Sequence, residues 1–159
     1  MTIGNGAYQR ATQRIDELRQ ELPQLAADIE GILHDEEPLS IQPEEIEIER
    51  SRSGVDTLRL SGRWVHSRFD PLREAEKRIA TLFASDAASS YDGHVVLGLG
   101  LGYHIEALRR SDEVERSVVA VVYLKESLIA LLERRDTAWW VAFGPHRVVP
   151  MWLPGVIPV

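Results

Sequence analysis

His94-Val-Val-Leu-Gly-Leu-Gly-Leu-Gly-Tyr-His104 is the stretch that decides the fold. Val95, Val96 and Leu97 make an apolar run too short and too tightly bounded for a helix, and they read as a buried strand. Gly98, Gly100 and Gly102 follow at alternate positions, and Ile105, Ala107 and Leu108 then carry a helical pattern. Strand, glycine turn and helix are the layout of a mononucleotide-binding crossover. The turn lets a ligand approach the backbone, and free N–H groups at the helix start receive an anion. The dinucleotide fingerprint is G-x-G-x-x-G. Here the third glycine comes one residue early, closer to the G-x-G-x-G turn of methyltransferase-like folds.

Downstream, Ser117 to Val122 reads as a second buried strand and Glu126 to Arg135 as a second helix, with Leu128, Ile129, Leu131 and Leu132 apolar. Between Trp139 and Val149 a third strand is expected at Arg147-Val148-Val149, after a Gly144-Pro145 turn. Strands alternating with helices give parallel strands joined by right-handed crossovers. The apolar, proline-bearing end from Pro150 to Val159 reads as cut, or as docked on something.

Upstream, Asp86 to Gly93 reads as a small polar loop, preceded by a helix through Ile79, Leu82 and Phe83. That helix has a strong start, with Asp70 as a capping carboxylate and Pro71 at the first helical position. Before it comes a hairpin. Glu45-Ile46-Glu47-Ile48-Glu49 alternates isoleucines and glutamates, Ser51-Arg52-Ser53-Gly54 turns, and Val55 to Leu60 returns. Trp64 and Val65 extend the apolar run after Gly62. The three glutamates read as a solvated face that keeps an edge strand from unwanted pairing, not as a metal comb. Residues 34–45 are acidic and proline-bearing, and read as a linker.

The chain opens with a long helical pattern over residues 7–33. Tyr8, Ala11, Ile15, Leu18, Leu22, Leu25, Ile29 and Ile32 form a heptad seam. Pro23 either kinks this helix or opens a second one. The seam suits packing on its own domain or a dimerising, docking role, in equal measure.

Composition bounds the function. The 159 residues are 44% hydrophobic, enough for a core, and carry a formal net charge of −7. An acidic chain repels phosphate backbones, and Arg50/Arg52 and Arg109/Arg110 read as solvated surface, so nucleic acid is not an expected partner. The absence of cysteine removes disulfides, thiol nucleophiles and sulfur-ligated metals. The first residues do not form a signal peptide, and no run approaches the ~18 apolar residues of a membrane span. A cytoplasmic location without membrane association is the expectation. His34, His66, His94, His104 and His146 show no metal-ligand spacing. His66, Ser67 and Asp70 are triad residue types, but on an extended segment His66 and Ser67 point to opposite faces.

Two stretches together carry a resemblance. Val65-His66-Ser67-Arg68-Phe69-Asp70-Pro71, with Glu74-Ala75-Glu76, resembles a segment of the motility-accessory-factor (Maf) flagellin glycosyltransferases and their spirochaete-type relatives of unknown function. Leu97-Gly98-Leu99-Gly100-Leu101-Gly102-Tyr103-His104 resembles the glycine turn that follows in that family, and the spacing of helix and loop between the motifs also fits. The likeness covers about residues 45–149. It implies a Rossmann-like N-terminal part. In that family a central, sialyltransferase-like domain follows and transfers nonulosonic acids to flagellin Ser/Thr. The Gly-Pro-Ser type turn expected of the transferase is not in these residues; Gly144-Pro145-His146 is a different element.

The expected fold is α/β: a Rossmann-like parallel sheet with an added antiparallel hairpin and a long N-terminal helical segment. Residues 1–38 form the helical segment, 39–66 the hairpin and 67–159 the Rossmann-like part, which packs with the hairpin as one unit. The candidate ligand turn is Gly98, Gly100 and Gly102 with Tyr103 and His104 at the helix entry; no catalytic residue, metal site or particular cofactor is assigned. A methyltransferase-like site carries an acid two residues before the first glycine, where this chain has Val96. The ribose acid is expected at the end of the second strand, where the resembled family has Glu-Pro and this chain has Tyr123-Leu124; Glu126 is the nearest substitute. The leading expectation is a non-catalytic module of a Maf-like protein, acting in assembly or substrate presentation. Its partners would be a second copy or a missing C-terminal domain, and a flagellin-type protein. The alternative is an enzyme domain binding S-adenosylmethionine or a nucleotide sugar at the glycine turn. An open crevice beyond Gly100 favours the alternative, and a crevice filled by Tyr103, Tyr123 or the tail favours the module.

Overall fold

A computed structural model describes residues 5–35, 45–84, 92–111, 117–122, 124–142 and 148–152. Two helices open the chain, α1 (Asn5–Glu21) and α2 (Pro23–Leu33). Pro23 does not kink one helix; it starts the second, at a position whose N–H would be unpaired in any case. The seam packs inward: Ala11, Ile15, Leu18, Leu25, Ile29 and Ile32 share one core with the parallel-sheet part of the chain. Tyr8 is the exception. It is 46% exposed, and Ala7 takes the buried place.

Strands β1 (Ile46–Arg50), β2 (Asp56–Leu60) and β3 (Arg63–Trp64) form an antiparallel sheet in that order. Ile48 lies opposite Leu58 and Ile46 opposite Leu60, which sets the isoleucine face on the core. Glu47 and Glu49 are not merely solvated: both form ion pairs with Arg59 across the β1–β2 ladder. Helix α3 (Pro71–Phe83) starts as its sequence dictates, with the Asp70 carboxylate accepting the Arg73 N–H at 3.1 Å.

The second sheet is parallel, in the order β4 (Gly93–Leu97), β5 (Ser117–Val122), β6 (Val148–Trp152). Helix α4 (Tyr103–Ser111) connects the first pair, and α5 (Lys125–Arg134) with α6 (Thr137–Ala142) the second. This is one Rossmann-like half, with the hairpin strands in a sheet of their own. The third strand contains the expected Val148 and Val149 and runs on to Trp152, Arg147 lies outside the described residues, and Trp139, Trp140 and Val141 are helical. The Gly144-Pro145 turn, the 86–91 loop and the 36–44 linker lie outside the described residues.

Both crossovers run the same way, so right-handed connections put α4 and α5 on one face of the sheet. The opposite face carries Val95, Val119 and Val149 in one register layer and Leu97, Val121 and Met151 in the next. Val95 and Leu97, expected in the core, are 65% and 66% exposed, and Val149 and Met151 are 43% and 45% exposed. A strand of alternating burial thus replaces the fully buried one. Parallel sheets are ordinarily covered on both faces; among the described residues this face is covered only in part, where Leu60 and Leu124 pack on Val121.

Candidate functional site

The glycine turn joins β4 to α4, and each of its glycines is committed. The Gly98 N–H donates to the Val121 carbonyl at 3.0 Å, holding the turn to the end of β5. Gly100 has φ +49°, and a β-carbon there would lie 2.6 Å from Cε1 of His66. Gly102 has φ +81°, and a β-carbon there would lie 2.7 Å from the Trp139 ring. Both positions combine a left-handed backbone with a close side chain, so glycine is required twice over.

His66 approaches from the segment just before α3. Its Nε2 accepts the Leu101 N–H at 2.8 Å. Arg135, from the end of α5, donates Nε–H to the Leu101 carbonyl at 3.0 Å. Both polar groups of Leu101 are thereby claimed by side chains distant in sequence. Arg135 also lies over the rings of Tyr103 and Trp139, at 4.8 and 5.0 Å from their centroids. The Tyr103 hydroxyl donates to the Asp56 carbonyl at 2.5 Å, tying the start of α4 to the hairpin. Glu106 accepts from Trp139 Nε1 at 3.3 Å and pairs with Arg110 at 2.7 Å.

Burial drives the His66 pKa down to about 3, and the charges of His104, Arg135 and Arg78 push the same way. His104 is lowered too, by burial and by Arg78, against a smaller opposing effect of Glu74. The two rings are stacked with centroids 6.0 Å apart. Because Nε2 accepts a hydrogen bond, the neutral His66 ring carries its proton on Nδ1. That atom is buried and has no hydrogen-bond partner among the described residues.

The candidate turn residues therefore lie together, with Tyr103 and His104 at the helix entry as expected. The sequence reading missed His66 and Arg135. His66 drew notice as a triad base beside Ser67 and as part of the segment over residues 65–71, not as a partner of the turn, and the Ser67 hydroxyl instead accepts the Phe69 and Asp70 N–H groups. No local spacing signals a contact across 34 residues. Glu126 is buried, and burial raises its pKa; its Oε1 has no partner among the described residues.

Beside the turn, an open crevice of about 950 Å³ runs along β4 from Gly93 to Gly100, with α3 and the β2–β3 turn as its other walls. A binding domain is expected to open a crevice beyond Gly100; this one runs along the length of β4 up to Gly100, and the turn itself is closed by His66. Of the expected fillers, Tyr103 does not line the crevice and is tied to Asp56 instead, residues 150–152 of the tail belong to β6, and Tyr123 and residues 153–159 lie outside the described residues. No helix among the described residues is long and apolar enough to cross a membrane.

No family model and no curated protein matches the chain. Its fold is similar to that of a solved structure, the Maf glycosyltransferase from Magnetospirillum magneticum AMB-1. The TM-score is 0.52 and the identity 13%, over 92% of this chain and 27% of that one. The chain thus spans about a quarter of the length of that protein, which it matches at 27% coverage. The likeness is one of fold, and that solved structure bears the name of the family whose paired motifs this sequence resembles.

Proposed function

We propose that the chain is a non-catalytic module of a Maf-like glycosyltransferase, acting in assembly or in presenting a flagellin-type acceptor. The hydrogen bond from the Leu101 N–H to His66 Nε2 carries this reading. In a nucleotide-binding crossover that N–H belongs to the phosphate. Here an imidazole holds it, and the same imidazole fills the approach to Gly100. Val96 and Tyr123 stand where hydroxyl-recognising acids would be, so a ribose has no carboxylate to meet at either position.

The crevice supports a second reading, a small-molecule domain of the S-adenosylmethionine or nucleotide-sugar class. Calorimetric titration of the purified chain with S-adenosylmethionine, NAD and cytidine nucleotides separates the two. The module gives no binding heat with any of them and is retained on immobilised flagellin. Micromolar binding that disappears in Gly100→Val overturns the module reading; a lack of retention on flagellin removes acceptor presentation from it.

A further inference from the structure

The crevice along β4 has a chemistry of its own. In a chain of net charge −7, its described lining holds Arg63, Arg78, His66, His94 and His104, and no Asp or Glu. Its apolar side is ready for contact: Leu82, Val95 and Leu97 line it and are 45%, 65% and 66% exposed. Three of the basic groups, Arg78, His66 and His104, gather at the glycine-turn end, whereas His94 sits at the start of β4 against Phe83. Arg78 is close enough to His66 and to His104 to lower both pKa values, and the two rings are stacked. Arg78 donates to Glu74 at 3.0 Å. A guanidinium has five N–H donors, so that bond leaves others for a ligand.

His66 gives the most specific signal. Its Nε2 is used by Leu101, so its Nδ1–H is a donor, buried in a residue that lines the crevice and without an acceptor among the described residues. A buried donor without an acceptor is unfavourable, and an incoming oxygen atom relieves it. We propose that the crevice binds a small amphiphilic anion, its carboxylate or phosphate held by Arg78, His104 and the Nδ1–H of His66, its apolar body along Leu82, Val95 and Leu97. A second copy of β4 fits less well, because edge pairing would bring two arginine-lined crevices together. The inference is independent of the role proposed above.

Titration of the chain at pH 7.5 with octyl phosphate, octanoate, inorganic phosphate and octyl glucoside tests it. At least one of the two amphiphilic anions should bind at one molecule per chain, about tenfold or more tighter than phosphate or octyl glucoside. Preference between octyl phosphate and octanoate distinguishes a phosphate ester from a carboxylic acid. Arg78→Ala and His104→Ala should each weaken binding about tenfold, and Arg110→Ala, outside the crevice, should leave it unchanged. A readout free of folding effects is the His66 Nδ1–H proton resonance, which should move downfield on adding the better anion. Absence of binding, equal binding of octyl glucoside, several molecules per chain, inorganic phosphate as tight as octyl phosphate, or indifference to Arg78→Ala would each overturn the proposal.

Discussion

His66 and Gly100 are fitted to each other: the imidazole fills the volume a β-carbon at position 100 would need, with Cε1 2.6 Å from that point. The same ring accepts the Leu101 N–H, so one side chain both demands the glycine and fixes the turn that the glycine makes. The two residues come from the two motifs that carry the family resemblance. Their spacing in sequence is thus matched by a contact in space.

Gly100→Ala should therefore cost more than a turn glycine usually does. The left-handed backbone adds about 1–2 kcal/mol for a residue with a β-carbon. Displacing His66 from Leu101 adds about 1–3 kcal/mol for a buried N–H left without a partner. Urea unfolding should show about 2–5 kcal/mol lost in total. His66→Ala alone removes the acceptor and should cost about 1–3 kcal/mol. The double variant should fall short of the sum by about 1 kcal/mol or more. Strict additivity would mean that the two positions do not shape each other.

Acid should loosen the same contact. The His66 pKa is about 3 in the fold against 6.5 when unfolded. Between those values the unfolded chain binds the extra proton, so the stabilisation is full above pH 6.5 and is lost as pH falls. By pH 5 the loss from His66 is about 2 kcal/mol. His104, also lowered, adds to the same slope. His66→Gln retains a carbonyl acceptor for Leu101 but does not titrate. Its unfolding free energy should fall less than wild type between pH 7 and pH 5, and equal slopes would refute the assignment.

Much of the fold was legible because its signals are local. Asp70-Pro71 starts α3, Pro23 starts α2, the 45–60 alternation gives a hairpin, and strand–glycine–helix gives the crossover. The misses are non-local or masked by composition. Trp139, Trp140 and Val141 have strand propensity, yet the Asp136 carboxylate accepts the Trp139 N–H at 2.8 Å, a helix-capping contact that Asp136-Thr137 could have announced. Val95 and Leu97 looked buried because they are apolar, but burial needs a second layer on their face of the sheet. His66 was visible as a residue and not as a partner, since nothing near it in sequence points to Gly100.

That uneven cover makes a contrast in the cost of substitution. Leu18 is fully buried between the N-terminal helices and the parallel-sheet part. Leu18→Ala should lose about 2–5 kcal/mol. Val95→Ser and Leu97→Ser should each stay within about 0.5 kcal/mol in the isolated chain, as surface substitutions do. A large loss at Val95 or Leu97 in thermal or urea unfolding would show that something covers this face in solution.

Glu126 offers the last separation, between a structural acid and a ligand acid. It sits at the start of α5, buried, with Oε1 unpartnered among the described residues and its pKa raised by burial. A raised carboxyl pKa means the fold prefers the neutral form. Its contribution is full below the unfolded value of 4.5 and is lost as pH rises through the folded value. Glu126→Gln should therefore be more stable than wild type at pH 8, with the gain shrinking toward zero near pH 4.5. If Glu126 instead serves a nucleoside ribose, the same substitution should abolish binding of whichever of S-adenosylmethionine, NAD or cytidine nucleotide the chain takes. A stability gain with no ligand effect places the carboxylate among the costs of the fold, and a binding loss makes it the missing ribose acid.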